Sequence, residues 1–128
     1  MLPKNVINWF QIPTQDLARA AKFYSAILGN PVSVQDFNGQ TMGFFPMDDL
    51  DHGNNVGGCL MSPMLGDAPS KVGTTVFLAC DGQLDAVISR VVSAGGKILS
   101  PKVHLGNPGY MAVIEDTEGN RVGLHSWK

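Results

Sequence analysis

The chain of 128 residues is 44% apolar and carries nine basic against eleven acidic residues, a formal net charge of −2. A chain of this size can bury one core without disulfides or metals, and its dispersed charges form no basic surface for nucleic acid or an anionic membrane. No apolar run approaches the roughly 18 residues of a membrane span, and the first residues lack the pattern of a secretion signal. We therefore expect one soluble, cytoplasmic domain over residues 1–128.

The first half predicts a strand, a helix and three further strands. An alternating apolar run at 5–12 predicts the first strand. Apolar residues then recur at helical spacing over 17–28, with Thr14 or Asp16 as candidate N-caps and Gly29 as the stop. The next three strands are predicted at 31–37, 41–47 and 56–62.

The second half repeats the order of the first. Two prolines, a glycine and two opposite charges over 63–71 predict a linker at about 65–71, between module one (about 1–64) and module two (about 72–128). Aligning Leu17 with Leu84 matches a helix, a glycine stop and a following strand without a gap. Module two is predicted to hold strands at 72–80, 97–103, 109–115 and 120–126 and a helix over 82–96, whose apolar face is Leu84, Val87, Ile88, Val91 and Val92.

The last strand raises a question through its central glycine. The stretch "DTEGN" predicts the turn of a hairpin, and Gly123 lies in the middle of the strand that leaves it. A glycine there loses side-chain packing and costs backbone entropy, so we expect the position to need room. Cys59 and Cys80 lie in apolar strand-like runs, which favours buried, reduced thiols over a disulfide.

A duplicated βαβββ module that opens "INWFQIPTQDLARAAKFYSAILG" and closes "YMAVIEDTEGNRVGLHS" resembles the vicinal oxygen chelate superfamily, the group of glyoxalase I, bleomycin resistance proteins and extradiol dioxygenases. The resemblance covers nearly the whole chain. It implies an α+β fold of two tandem βαβββ modules, related by a pseudo-two-fold axis, whose mixed sheets enclose a cleft. Because the matching residues are caps, core and turns, they indicate the fold better than the activity.

The resemblance also locates the positions that hold a divalent metal ion in enzymes of this superfamily. These enzymes bind the ion through His and Glu side chains on the first and last strand of each module. By motif the positions fall on Trp9 and Thr75, and on Gly58 and Gly123, with Cys59 replacing Gly58 if the alignment slips by one. Catalytic zinc, iron or manganese needs about three imidazole, carboxylate or thiolate donors. The resemblance therefore implies a member without the metal site, and we expect no cofactor.

Strand alternation predicts which residues line the cleft, because residues i and i+2 share a face. Trp9 is expected to form the floor of the space left by the glycines, or to fill it. Tyr110 could place a phenol at the rim or belong to the core. The predicted ligand-binding residues are Trp9, Gln11, Gly58, Leu60, Thr75, Phe77, Tyr110, Arg121 and Gly123.

His125 is the candidate catalytic residue, because it is the one histidine predicted on a cleft-facing strand and imidazole titrates near neutrality. The alternative is a histidine near the sheet edge that bonds to backbone or water. His104 and His52 are expected to be solvated, as is the acidic run of Asp48, Asp49 and Asp51 beside His52, which lacks the spacing of a calcium loop.

Our leading hypothesis is metal-independent binding of a small aromatic or amphipathic organic molecule in the inter-module cleft. The alternative is an enzyme of the same superfamily, a lyase, isomerase or dioxygenase. Such an enzyme would use acid–base chemistry at His125, or a divalent metal held by unconventional donors such as His104, His125 and an acidic side chain. A third possibility is that Trp9 closes the cleft and the protein acts through its surface. By analogy with relatives of this size we expect a homodimer, with no nucleic acid or membrane partner.

Overall fold

Two four-stranded sheets, each with one helix, make up the fold. The computed structural model describes residues 2–3, 5–47, 55–63 and 67–128. The strands follow the orders β1-β4-β3-β2 and β5-β8-β7-β6. The elements are β1 (Trp9–Pro13), α1 (Leu17–Leu28), β2 (Ser33–Phe37), β3 (Gln40–Phe44), β4 (Gly57–Met61), β5 (Phe77–Ala79), α2 (Leu84–Val91), β6 (Lys97–His104), β7 (Tyr110–Glu115) and β8 (Arg121–Ser126).

Each sheet contains one parallel pair, β1 with β4 and β5 with β8, while its other neighbours are antiparallel. This arrangement confirms the predicted α+β fold of two tandem βαβββ modules. No helix among the described residues is long and apolar enough to cross a membrane. The acidic run with His52 and the first part of the predicted linker lie outside the described residues.

Helix α1 begins and ends where its capping residues predict. The Asp16 side chain accepts a hydrogen bond from the backbone N–H of Arg19 at 3.0 Å, which makes Asp16 rather than Thr14 the N-cap. Gly29 adopts a left-handed conformation with φ of 70° and donates its N–H to the carbonyl of Ser25. The face that packs into the core carries Ala20, Ala21, Phe23, Tyr24 and Ile27.

Helix α2 is shorter than predicted. The sequence pattern runs to Gly96, but the helix ends at Val91, and Val92 is 67% exposed rather than part of the apolar face. The chain turns there, because the N–H groups of Gly95 and Gly96 bond back to the carbonyls of Val92 and Val91. Apolar periodicity does not predict this turn, because the residues of the turn continue the apolar pattern of the helix.

The parallel pairing decides which side chains face the helices. Phe10 lies opposite Gly58, and Ile12 opposite the fully buried Leu60. These positions point into the core that the sheets share with α1 and α2. The alternate residues of β1, Trp9 and Gln11, point the other way. We call the side of each sheet that faces away from the helices its open face.

Side chains of the β7–β8 hairpin bind module one. The Glu118 carboxylate accepts hydrogen bonds from the N–H groups of Gln15 and Asp16 at 2.8 and 2.7 Å, just before α1, and pairs with the Arg19 guanidinium at 2.8 Å. Asp116 accepts a hydrogen bond from the Tyr24 hydroxyl at 2.7 Å. These contacts bind the β7–β8 turn of module two to helix α1 of module one.

Candidate functional site

The hydrogen-bond register shows which positions of the two modules are equivalent. Thr14 donates its N–H to the Met61 carbonyl, and Cys80 donates its N–H to the His125 carbonyl. Pro13 and Met61 therefore correspond to Ala79 and His125, which are paired in the same way.

Counting back along the paired strands from these residues gives the four positions that the resemblance assigns to metal ligands. On the first strands, Trp9 corresponds to Thr75, as predicted. On the last strands, Cys59 corresponds to Gly123, so the one-residue slip considered from the sequence is the correct alignment. Gly58 and Leu60 share a face, as predicted, but that face points towards the helices.

Aromatic rings occupy the space above both glycines. A Cβ atom on Gly123 would lie well inside contact distance of the Phe77 ring, and one on Gly58 would overlap the Phe10 ring in the same way. The expectation that Gly123 leaves an empty space is therefore wrong. A bare backbone lets the ring of the neighbouring strand lie across it, which covers the glycine and replaces the missing packing.

The two glycines should respond differently to alanine. Phe10 packs against the core, whereas Phe77 is 47% exposed and has room to turn away. We expect Gly58→Ala to lower the free energy of unfolding by about 2–3 kcal/mol and Gly123→Ala by about 1 kcal/mol, because overpacking costs most where the neighbour cannot move. Urea denaturation of both variants measures the difference. Equal losses would contradict this account of the two rings.

The open face of module one carries an aromatic hollow of about 300 Å³. The Trp9 indole lies edge-on to the Phe44 ring, with centroids 6.1 Å apart, and Phe37 is 61% exposed. Cys59 lies buried beside the indole; burial raises the pKa of its thiol, partly offset by a hydrogen bond with Trp9. We call this cavity the aromatic hollow; its lining is Trp9, Gln35, Phe37, Phe44, Phe45, Met47 and Gly58.

A second, smaller hollow of about 140 Å³ lies where the modules meet, and it brings together Gln11 and Arg121. The Arg121 guanidinium donates to the Thr75 hydroxyl from Nε and Nη2, at 3.1 and 2.7 Å, and from Nη2 to the Gly73 carbonyl at 2.6 Å. Three of the polar residues predicted from strand parity thus lie close together. We call this cavity the junction hollow.

His125 lies on the open face of module two, directly across from Ala79 and Met111. Its Nε2 donates a hydrogen bond to the Pro108 carbonyl at 2.6 Å, and its ring stands edge-on to Trp127 at 4.5 Å. This contact matches the alternative reading of a histidine that bonds to backbone. The ring does not line the aromatic hollow or the junction hollow.

Tyr110 lies on the opposite face from His125. It pairs with Ser126, packs against the core, and stacks on His104 with centroids 4.7 Å apart. The strand alternation that puts Met111 on the open face turns Tyr110 towards the helix side. Of the predicted lining residues, Tyr110, Leu60, Phe77 and Gly123 line neither the aromatic hollow nor the junction hollow.

Comparison with known proteins identifies the family. Residues 6–124 match the family model described as the Glyoxalase/Bleomycin resistance protein/Dioxygenase superfamily. The chain belongs to this superfamily. It is 32% identical over 124 residues to "Putative glyoxylase CFP32" of Mycobacterium tuberculosis and of Mycobacterium bovis, an alignment that covers 91% of the chain. The chain spans 44% of the length of these relatives.

Solved structures of the superfamily share the fold. A glyoxalase/bleomycin resistance protein from Albidiferax ferrireducens T118 superposes with a TM-score of 0.72 at 21% identity, covering 95% of this chain and 98% of that one. A lactoylglutathione lyase from Agrobacterium tumefaciens superposes with a TM-score of 0.61 at 17% identity, covering 98% and 96%. At these identities the similarity establishes the fold alone.

The superfamily's metal does not fit the residues at the four equivalent positions. An indole, a hydroxyl, a thiol and a glycine offer one good donor, the Cys59 sulfur, and burial disfavours its thiolate form. Among the described residues no group of three or more His, Cys, Asp or Glu side chains could hold a metal ion. The lack of the usual ligands, expected from the sequence, agrees with this geometry.

Sequence reasoning missed most of the aromatic hollow. Gln35 and Phe37 alternate on β2, and Phe44 pairs across from Cys59 on β4. The alternation within 33–37 was a usable signal that Gln35 and Phe37 share a face. The pairing of β3 with β4 brings Phe44 beside the indole, and no pattern in the sequence predicts this pairing.

Proposed function

We propose that the chain binds a small aromatic or amphipathic molecule, without a metal ion, on the open face of module one rather than in the inter-module cleft expected from the sequence. The observation that carries this proposal is the aromatic hollow, in which Trp9 and Phe37 leave ring surface exposed around a cavity of about 300 Å³. Binding pockets for small molecules are concave, mostly apolar and begin at about this volume. Gln35 supplies a polar group at the wall. A ligand with one or two rings fits this description.

The family alone does not choose between binding and catalysis, because its description spans glyoxalases, resistance proteins and dioxygenases. An enzyme with His125 as its acid or base stays a prediction. That role would require the imidazole to exchange its bond to the Pro108 carbonyl for one to substrate. The binding proposal requires no such rearrangement.

Removing the Phe37 ring should weaken binding. We expect Phe37→Ala to raise the Kd of an aromatic ligand about tenfold, equivalent to about 1.4 kcal/mol, because the variant removes ring surface against which the ligand would pack. The measurement uses Trp127→Phe as background, so that Trp9 is the one tryptophan. Its fluorescence is then titrated with a panel of one-ring and two-ring compounds.

Val92→Ala is the matched control, because it removes exposed apolar surface outside the hollow and should leave Kd unchanged. A fluorescence response that is the same in Phe37→Ala and in its parent would place the ligand elsewhere. If no compound of the panel changes Trp9 fluorescence, the proposed function is wrong.

We also propose a homodimer in the cytoplasm. On module two, Phe77 and Val103 leave apolar surface exposed that a second copy would cover. Cys59 and Cys80 are buried free thiols, which suits a reducing compartment. Sedimentation equilibrium measures the molar mass, and a monomer at all concentrations would contradict the dimer.

A further inference from the structure

Building on the proposed function, we infer that the junction hollow is an anion subsite and that the ligand is an aromatic carboxylic acid. Arg121 is the cation that lines this cavity, and the other lining residues are uncharged. The lining is Gln11, Ile12, Pro13, Ala68, Ser70, Val72, Thr74, Val76, Asn120, Arg121 and Val122.

The Arg121 side chain is held in place with part of its donor capacity unused. Its Nε and Nη2 bind the Thr75 hydroxyl and the Gly73 carbonyl. Within the described part of the chain, no hydrogen bond engages Nη1. A guanidinium that is already oriented loses little conformational freedom when it binds a carboxylate, and hydrogen bonds between ionised partners are about twice as strong as neutral ones.

The carboxylates around Arg121 do not line the junction hollow. Glu115 lies across from Arg121 on β7, but its carboxylate pairs with Lys71 at 3.3 Å and approaches Lys97 at 4.0 Å. Asp67 and Asp116 add negative charge nearby, the second through a hydrogen bond from the Asn120 side chain at 3.0 Å. Arg121 is the one charged side chain among the lining residues, which favours an anionic guest over a cationic one.

The spacing along β1 connects the two cavities. Trp9 lines the aromatic hollow and Gln11 lines the junction hollow, and both point to the open face. Residues two apart on a strand are separated by about 7 Å. A molecule whose ring stacks on the Trp9 indole can therefore extend a carboxylate past Gln11 to Arg121. The junction hollow, at about 140 Å³, has room for a carboxylate and its first carbons.

Matched pairs of acid and amide test this inference. The probes are 4-phenylbutanoate with 4-phenylbutanamide and 4-(2-naphthyl)butanoate with 4-(2-naphthyl)butanamide, each titrated into the full chain carrying Trp127→Phe while the Trp9 indole N–H resonance is followed. We expect each acid to bind at least about tenfold more tightly than its amide at low salt. The preference should shrink as salt is added, because salt screens the charge.

Substitution then locates the anion subsite. Arg121→Gln should remove the preference, so that acid and amide bind with the same Kd. Lys102→Gln removes a cation paired with Asp85 outside both hollows and should keep the preference for the acid. If Arg121→Gln fails to fold, the comparison of acid with amide and its salt dependence in the parent chain decide the question.

The outcomes separate the inference from the function on which it rests. Equal Kd values for acid and amide in the parent chain would overturn the anion subsite and leave the proposed function standing. A preference that survives in Arg121→Gln, or that is lost equally in Lys102→Gln, would overturn Arg121 as its source. If neither member of either pair shifts the Trp9 resonance, both the inference and the proposed function fail.

Discussion

Asp116→Ala will lower the free energy of unfolding by about 3–5 kcal/mol, the range for breaking a buried charged network. The Asp116 carboxylate is buried and accepts four hydrogen bonds. They come from the Tyr24 hydroxyl at 2.7 Å, the N–H groups of Glu118 and Asn120 at 2.9 Å each, and the Asn120 side chain at 3.0 Å. Alanine leaves all four donors without their acceptor.

Chemical denaturation at neutral pH, compared with the parent chain, measures this loss. Asp85→Ala is the control, because its carboxylate is exposed and its pairing with Lys102 is a surface contact, worth about 0–1 kcal/mol. If Asp116→Ala costs no more than Asp85→Ala, then the Asp116 network contributes little to stability and the account of how the modules are joined is wrong.

Lowering the pH from about 5 to about 2 will lower the free energy of unfolding by about 3 kcal/mol through protonation of Glu118 alone. Burial raises the pKa of this carboxyl, but hydrogen bonds from Arg19, from the N–H groups of Asp16 and Gln15, and from Thr117 outweigh it and lower the pKa from 4.5 to about 2. A depressed pKa stabilises the folded state above the unfolded value of 4.5. That stabilisation disappears as the pH falls from about 5 to about 2.

The difference between parent and Glu118→Gln isolates this carboxylate from the other acidic groups that titrate in the same range. We expect the variant to be less stable at pH 7, and we expect the gap to close as the pH approaches 2. Denaturation midpoints at a series of pH values between about 2 and 7 provide the measurement. A gap that stays constant with pH would show that the ionised form of Glu118 is not what stabilises the folded state.

Local signals predicted much of the fold. The start and end of α1 follow from Asp16 and Gly29, whose side-chain and backbone preferences act within one turn. The β7–β8 hairpin follows from its acidic, glycine-containing turn. The end of α2 does not follow, because Val92 continues the apolar pattern after the chain has already turned.

The candidate site was less predictable because it depends on pairing between strands distant in sequence. Strand alternation correctly predicted that Trp9 shares a face with Gln11 and that Gly123 shares a face with His125. The register of β1 against β4, which chooses Cys59 over Gly58, depends on packing between elements about 50 residues apart. Strand alternation also does not predict that the Phe77 ring lies over Gly123, because the Phe77 rotamer depends on the residues that surround it in the fold.

The contact of Glu118 with the start of α1 can form only late during synthesis on the ribosome. A chain that emerges from its N-terminus presents α1 about 100 residues before the carboxylate that binds the N–H groups of Gln15 and Asp16. In the described part of the chain, helix α2 has no side-chain cap. In nascent chains that end before Glu118, the first module should therefore be incompletely folded. It should remain accessible to proteases and chaperones until the β7–β8 hairpin is translated.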